Sequence, residues 1–280
     1  MQEYRPSSFK LLPDVVKNIM IICGLAFLLN IILQGKGIDI NSFLGLYYPG
    51  SENFHWWQYF SHLFMHGNFM HIFSNMLAFW MFGNVLENLW GPKRFLLYFL
   101  VTGIGAAMLY NLFTYYEISQ LKNNAEIFFN TPSADGFAIF VRENIPYQYL
   151  NPEYSTVIDG IKTAWYESGD SSQVIQHAKE AVNEYIRFKE NDIPMVGASG
   201  AVFGILLAFG MLFPNSVIYL YFAIPVKAKY FVALYGAFEL YSAIQSNPTD
   251  NVAHVAHLGG MLFGFFLIKY WNKNNRSHMY

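Results

Sequence analysis

The stretch MVGASGAVFGILLAFG, residues 195–210, sets Ser199 between two glycines at the head of an apolar run. Two readings compete for it. Gly197, Gly200 and Gly204 form a small-residue face of the kind that lets helices pack closely in lipid. A serine so placed could also be a nucleophile held inside a membrane. Read alone, G-A-S-G favours packing. The rest of the chain has to supply a base, oxyanion donors and a reason to work in lipid.

Composition supplies the lipid. Of the 280 residues 54% are hydrophobic, 19% aromatic and 13% charged, whereas an ordinary soluble domain is roughly 25% charged. That balance points to a membrane protein. The net charge of −2 offers no basic surface for nucleic acid. Cys23 is the single cysteine, so no intrachain disulfide can form. The first apolar run has a basic flank but no small-residue cleavage site after it, and reads as an uncleaved span.

A spanning helix needs about 20 mostly apolar residues. Six segments qualify: roughly 15–33, 65–86, 94–116, 196–213, 227–245 and 252–271. Basic residues favour the cytoplasmic side of short loops. Arg5, Lys10, Lys17, Lys93, Arg94, Lys227, Lys229, Lys269, Lys273 and Arg276 all fall on one side of a six-span chain. Both termini are therefore expected to be cytoplasmic. Residues 34–61, 117–194 and 246–251 lie opposite.

The organisation expected is three spans in 1–116, an extramembrane insert over 117–194 and three more spans in 195–280. The insert holds twelve acidic and six basic residues. Within it, 154–167 and 172–189 each put apolar residues on one helix face, among them Ile158, Ile161 and Trp165, then Val174, Ala178, Val182 and Tyr185. SGDSS (168–172) supplies a turn and helix caps. NTPSADGFAIFVRENIPYQYLNP, before these helices, shows no clear period. We expect a small helical subdomain or lid, because the aromatic content is too high for a disordered tether.

Polar residues inside spans are costly and usually face the bundle interior. The second span carries His66, His71 and Asn75, with His62 just before it; the fourth carries Ser199; the sixth carries His254 and His257. By the topology above, all three spans begin at the outer side, so the three polar sets share one depth. A serine hydroxyl needs a base, and histidine is the usual one. His71 and Asn75, four apart on one helix face, can both donate to an oxyanion. The Ser199 backbone N–H, at a helix N-terminus, is a third donor.

Other roles remain open for several of these residues. Gly260 and Gly264 repeat the spacing of Gly200 and Gly204, so the fourth and sixth spans could simply pack closely, which would also bring Ser199 beside His257. His62/His66 and His254/His257 have spacings that would suit metal ligands, and His62 and His66 read more readily as loop-bonded structural histidines. There is no HExxH. Neither a metal nor any other cofactor is expected. Trp56 and Trp57 fit an interfacial aromatic belt. Glu87, ahead of Gly91, reads as a hydrogen-bonding partner for a neighbouring loop.

Taken together, the sequence resembles a rhomboid intramembrane serine protease. GASG (197–200) resembles the family's GxSG nucleophile motif. HGNFMHIFSN (66–75) resembles its second-span pattern, and AHLGGMLFG (256–264) its sixth-span A-H-x-x-G-x-x-x-G. The resemblance implies an all-α membrane protein with a six-transmembrane-helix rhomboid-like bundle, the insert lying between helices 3 and 4. It implies Ser199 as nucleophile, His257 as general base, and His71 and Asn75 around the oxyanion, with no third catalytic acid. Phe203 falls where an aromatic packs on the catalytic histidine. Many members carry W-R in the first outer loop; here it reads Trp57-Gln58. The substrates implied are single-pass transmembrane proteins, cut near the outer boundary of the bilayer, and the location we expect is the bacterial inner membrane. A non-catalytic membrane scaffold and a histidine-lined transporter are the rival readings. The first is opposed by the presence of both Ser199 and His257, the second by the apolar inner halves of the spans.

Overall fold

The computed structural model describes residues 9–145, 152–191, 194–220, 223–245 and 253–277. Arg5, the end of the irregular stretch before 152 and the outer loop at 246–251 lie outside them. Among the described residues, helices α1 (Asp14–Gln34), α2 (Asn41–Leu44), α3 (Gln58–Ser61), α4 (Phe69–Trp90) and α5 (Pro92–Asn130) come first. They are followed by α6 (Ala134–Asn144), α7 (Pro152–Ser168), α8 (Ser172–Glu190) and α9 (Ser199–Leu212). A hairpin of β1 (Val217–Leu220) and β2 (Ile224–Lys227), pairing Val217 with Lys227, precedes α10 (Ala228–Gln245) and α11 (His254–Ser277).

Each of the six apolar segments coincides with one of the helices α1, α4, α5, α9, α10 and α11. By length and composition, α1, α4 and α5 are long and apolar enough to cross a membrane. α1 shows why lipid is the fitting solvent: Ile21, Leu25, Leu28 and Ile32 stand out from the bundle, with 51–62% exposure across its outer face. α9 is the opposite. Ala201, Ile205 and Ala208 are fully buried and glycines fill the gaps between them, because α4, α5, α10 and α11 all pack against it. Phe79, Phe95, Phe99, Leu86 and Ile205 form the centre of this core.

Local chemistry fixes the helix ends. The Asn68 side chain accepts the His71 N–H at 2.9 Å and caps α4. Gly91, at φ 78°, ends α4, and Pro92 opens α5. Glu87 is buried and accepts the N–H groups of Val15 and Val16 at 2.9 and 2.8 Å. It therefore supplies the acceptor that the start of α1 lacks, which matches the structural role expected of it. Gln58 is fully buried and ties the first outer loop together. Its oxygen accepts from Tyr47 and His55, and its amide donates to the carbonyls of Phe43 and Asn53. The glutamine after Trp57 thus braces the loop through four hydrogen bonds with no guanidinium present.

The third apolar segment does not stop at 116. α5 runs unbroken for 39 residues, so the boundary expected at 116/117 falls inside a helix. Its far end joins α6, α7 and α8 around a second core of Phe128, Phe137, Phe140, Ile158, Trp165, Ala178 and Val182. The two amphipathic helices appear as α7 and α8, each end within two residues of the expected one. Ser171 caps α8, and the Trp165 indole donates to Asp170 at 2.7 Å across the turn. α6 is the element that lacked a readable period. Lys122 pairs with Glu190, and this hydrogen-bonded carboxylate holds the ammonium above the usual lysine range. Ser51 bonds Asn191 at 2.7 Å, tying the end of α8 to the first outer loop.

Candidate active site

Ser199 is the first residue of α9 and is partly exposed. The strand-like stretch before it is pinned from two sides. Leu46 and Met195 exchange both backbone hydrogen bonds at 2.9 Å, and the Gly197 N–H donates to the His62 carbonyl at 2.9 Å. Gly197 has φ 120°, a conformation that favours glycine. A side chain there would also collide with the His71 ring, whose Nε2 lies 2.6 Å from the Cβ position. Gly197 thus serves both the turn into the helix and the approach of His71.

α9 meets α11 backbone to backbone. A Cβ on Gly260 would overlap the Gly200 carbonyl, and one on Gly204 would sit 2.9 Å from the Gly260 carbonyl oxygen. The Tyr98 hydroxyl donates to the Gly204 carbonyl at 2.8 Å and fills the space beside Gly264. This contact carries His257 onto α9. Its ring stacks on Phe203, with centroids 4.1 Å apart and planes 10° from parallel. Phe203 is one turn along from Ser199, so His257 lies against the face that carries the serine. The close helix approach expected from the glycine spacing is present. Among the described residues no direct hydrogen bond joins Ser199 to His257 in this geometry. Such bonds are commonly long without substrate.

His71 and Asn75 share the inner face of α4. The Gly67 N–H points to His71 Nδ1 at 3.4 Å. That nitrogen then acts as acceptor, which leaves the proton on Nε2, facing Gly197. Asn75 is buried and spends one amide hydrogen on the His71 carbonyl at 2.9 Å; its second is free of that bond. His62 lies against the Gln58 carbonyl, Nδ1 to oxygen 2.8 Å. His66 is 1% exposed and its ring makes a T-shaped contact with His71 at 5.2 Å. Neither belongs to a metal-ligating cluster among the described residues.

One residue was missed. Glu239 of α10 is 2% exposed, and its Oε2 lies 2.6 Å from His254 Nδ1 and 2.8 Å from His257 Nδ1. An ionisable side chain thus enters the bundle from α10 as well as from the second and sixth segments. The signal was available: an acidic residue within an apolar segment is itself a functional flag. These three side chains are also the described group that could hold a divalent cation, their donor atoms lying within 4.8 Å of one another.

A helical bundle with lipid-facing apolar surfaces, and with a serine and a histidine on helices joined through glycine, defines an integral membrane protein of rhomboid type. The family is independently evident: a rhomboid domain matches residues 53–120 and 167–273, and the chain belongs to the rhomboid family. The residues between those two stretches fall in the α5–α7 region. An uncharacterised mitochondrial rhomboid protein of Schizosaccharomyces pombe is 24% identical over 236 residues, which are 79% of this chain and 53% of that protein. The rhomboid protease GlpG of Klebsiella pneumoniae is 33% identical over 86 residues, 31% of this chain and 30% of that protein. The rhomboid protease AarA of Providencia stuartii is 33% identical over 91 residues, 32% of this chain and 29% of that protein. The matches thus span about half of the yeast relative and less than a third of each bacterial one.

Proposed function

We propose that the chain is an intramembrane serine endopeptidase acting on single-pass transmembrane proteins near the outer boundary of the bilayer. In this reading α1, α4, α5, α9, α10 and α11 are six spans. Residues 117–194 are an extramembrane insert on the active-site side, both termini are cytoplasmic, and the membrane is the bacterial inner membrane. The names of the two bacterial relatives support the activity. The yeast relative's mitochondrial name offers a second location, which cell fractionation distinguishes.

The observation that carries the proposal is the stacking of His257 on Phe203, one turn from Ser199, across a helix pair joined at Gly200, Gly204 and Gly260. As Ser199 Oγ attacks the scissile carbonyl, its proton passes to His257 Nε2. The oxyanion is met by the Ser199 N–H, by His71 Nε2–H and by Asn75, since donors fixed in place before charge develops lower the barrier most. His257 then protonates the leaving amine, and water releases the acyl group by the reverse steps. A peptide bond inside an intact helix is shielded, so the substrate helix must unwind locally first.

The test is cleavage of a model transmembrane substrate in detergent by wild type, Ser199→Ala and His257→Ala. Loss of turnover in both variants is expected; equal turnover in all three refutes the dyad.

A further inference from the structure

Glu239 sits within FVALYGAFELYSAI (231–244), an apolar stretch of α10. A carboxylate there is expensive unless it is paired. Its partners are two ring nitrogens one turn apart on α11, His254 Nδ1 and His257 Nδ1, both at hydrogen-bond distance from the same oxygen. An ionised carboxylate can only accept. Both Nδ1 atoms therefore carry protons, and His257 keeps its lone pair on Nε2, the atom a base needs toward Ser199. Phe203 fixes the plane of the ring by stacking on it, and the bond to Glu239 fixes the ring's rotation within that plane. His254 is the second donor that holds the carboxylate in place.

We propose that Glu239 is a positioning residue that makes the dyad a Ser–His–Glu relay. It holds His257 in the Nδ1–H tautomer and offsets the positive charge the ring gains on taking the Ser199 proton. This rests on the dyad reading. The proton travels from Ser199 Oγ to His257 Nε2 and on to the leaving amine nitrogen; Glu239 stays unprotonated throughout. The three donor atoms are also those a divalent cation would use. In this geometry, though, both nitrogens lie at hydrogen-bond distance from the carboxylate oxygen itself, with the oxygen as their common acceptor.

Two measurements test this. The first uses the wild-type protein in detergent, with ¹⁵N-labelled histidine. A downfield ¹H resonance on His257 Nδ1 is expected, and a proton on Nε2 instead overturns the proposal. The second is steady-state kinetics on the model substrate. Glu239→Gln keeps the shape but not the charge. It should lower kcat on the order of 10²-fold while KM stays within about twofold, the pattern of an interaction made in the transition state. A kcat within about twofold of wild type, with Ser199→Ala inactive, overturns the relay and leaves the dyad standing. Full turnover by Ser199→Ala removes both. Loss of wild-type activity on chelation, restored by zinc, also overturns the relay, because the three side chains would then be ligands.

Discussion

Substituting the glycines between α9 and α11 should slow the chemistry in proportion to how far each forces the helices apart. Ordinary Cβ contacts begin near 3.4 Å, and a Cβ on Gly204 would lie 2.9 Å from the Gly260 carbonyl oxygen. The difference is 0.5 Å, the opening that Gly204→Ala requires toward α11, besides a shift of the Thr102 side chain of α5, 2.8 Å away. A catalytic group misplaced by ~1 Å costs on the order of 10²-fold, so Gly204→Ala should slow Ser199 about tenfold. In Gly260→Ala the added methyl overlaps the Gly200 carbonyl itself, and a loss of 10²-fold or more is expected on the same scale, ~10² per ångström. Gly24→Ala is the control, because nothing lies within 4 Å of its Cβ position. The assay is the rate at which a fluorophosphonate labels Ser199 in detergent-purified protein, with folding checked by thermal unfolding and size exclusion. A folded Gly260→Ala protein that labels at the wild-type rate refutes the idea that this interface sets the serine–histidine distance.

Two further outcomes are expected. Glu87→Ala leaves the N–H groups of Val15 and Val16 without their acceptor. Hydrogen bonds to a charged group contribute about 1.5–3 kcal/mol each, so a loss of at least about 3 kcal/mol for the two should appear in denaturant titration while the folded fraction labels normally. Replacing 121–190 with a short Gly/Ser linker should leave Ser199 reactive to fluorophosphonate but change the rate or choice of substrate cleavage; loss of labelling in a folded deletion refutes the separation of insert and site.

What could be read from the sequence follows from how local each signal is. Apolar runs of membrane length announce six helices because lipid leaves few other ways to satisfy the backbone. The cap of α8 was legible because Ser171 lies three residues from the N–H it accepts. The pairing of the glycine faces was legible because both obey one spacing. α6 was not legible: its eleven residues lean on Phe128 and Trp165, which belong to α5 and α7. The hairpin at 217–227 falls between the fourth and fifth apolar segments, a stretch for which no element was expected. Glu239 was passed over because its partners are fifteen and eighteen residues away on another helix, and no spacing within α10 points to them. Gln58 shows the converse. The sequence displays the departure from W-R, but only the folded loop reveals that one amide can make all four bonds.

The continuity of α5 has a mechanical consequence. At ~1.5 Å per residue, its 39 residues make a rod of about 58 Å, nearly twice the ~30 Å hydrocarbon thickness. The same rod packs on α9 and α11 and carries the second core at its far end. The rod has no break along it, so the helix that packs against α6 and α8 at one end is the same one that lays Thr102 and Ala106 beside Gly204 and Gly200 at the other. If residues 117–194 lie outside the bilayer on the active-site side, as proposed, the rod is also a gauge: a client whose folded outer domain begins too close to the bilayer would meet α6–α8 before its helix reached Ser199, and the length of the client's juxtamembrane tether would be a criterion for cleavage, separate from the residues at the cut.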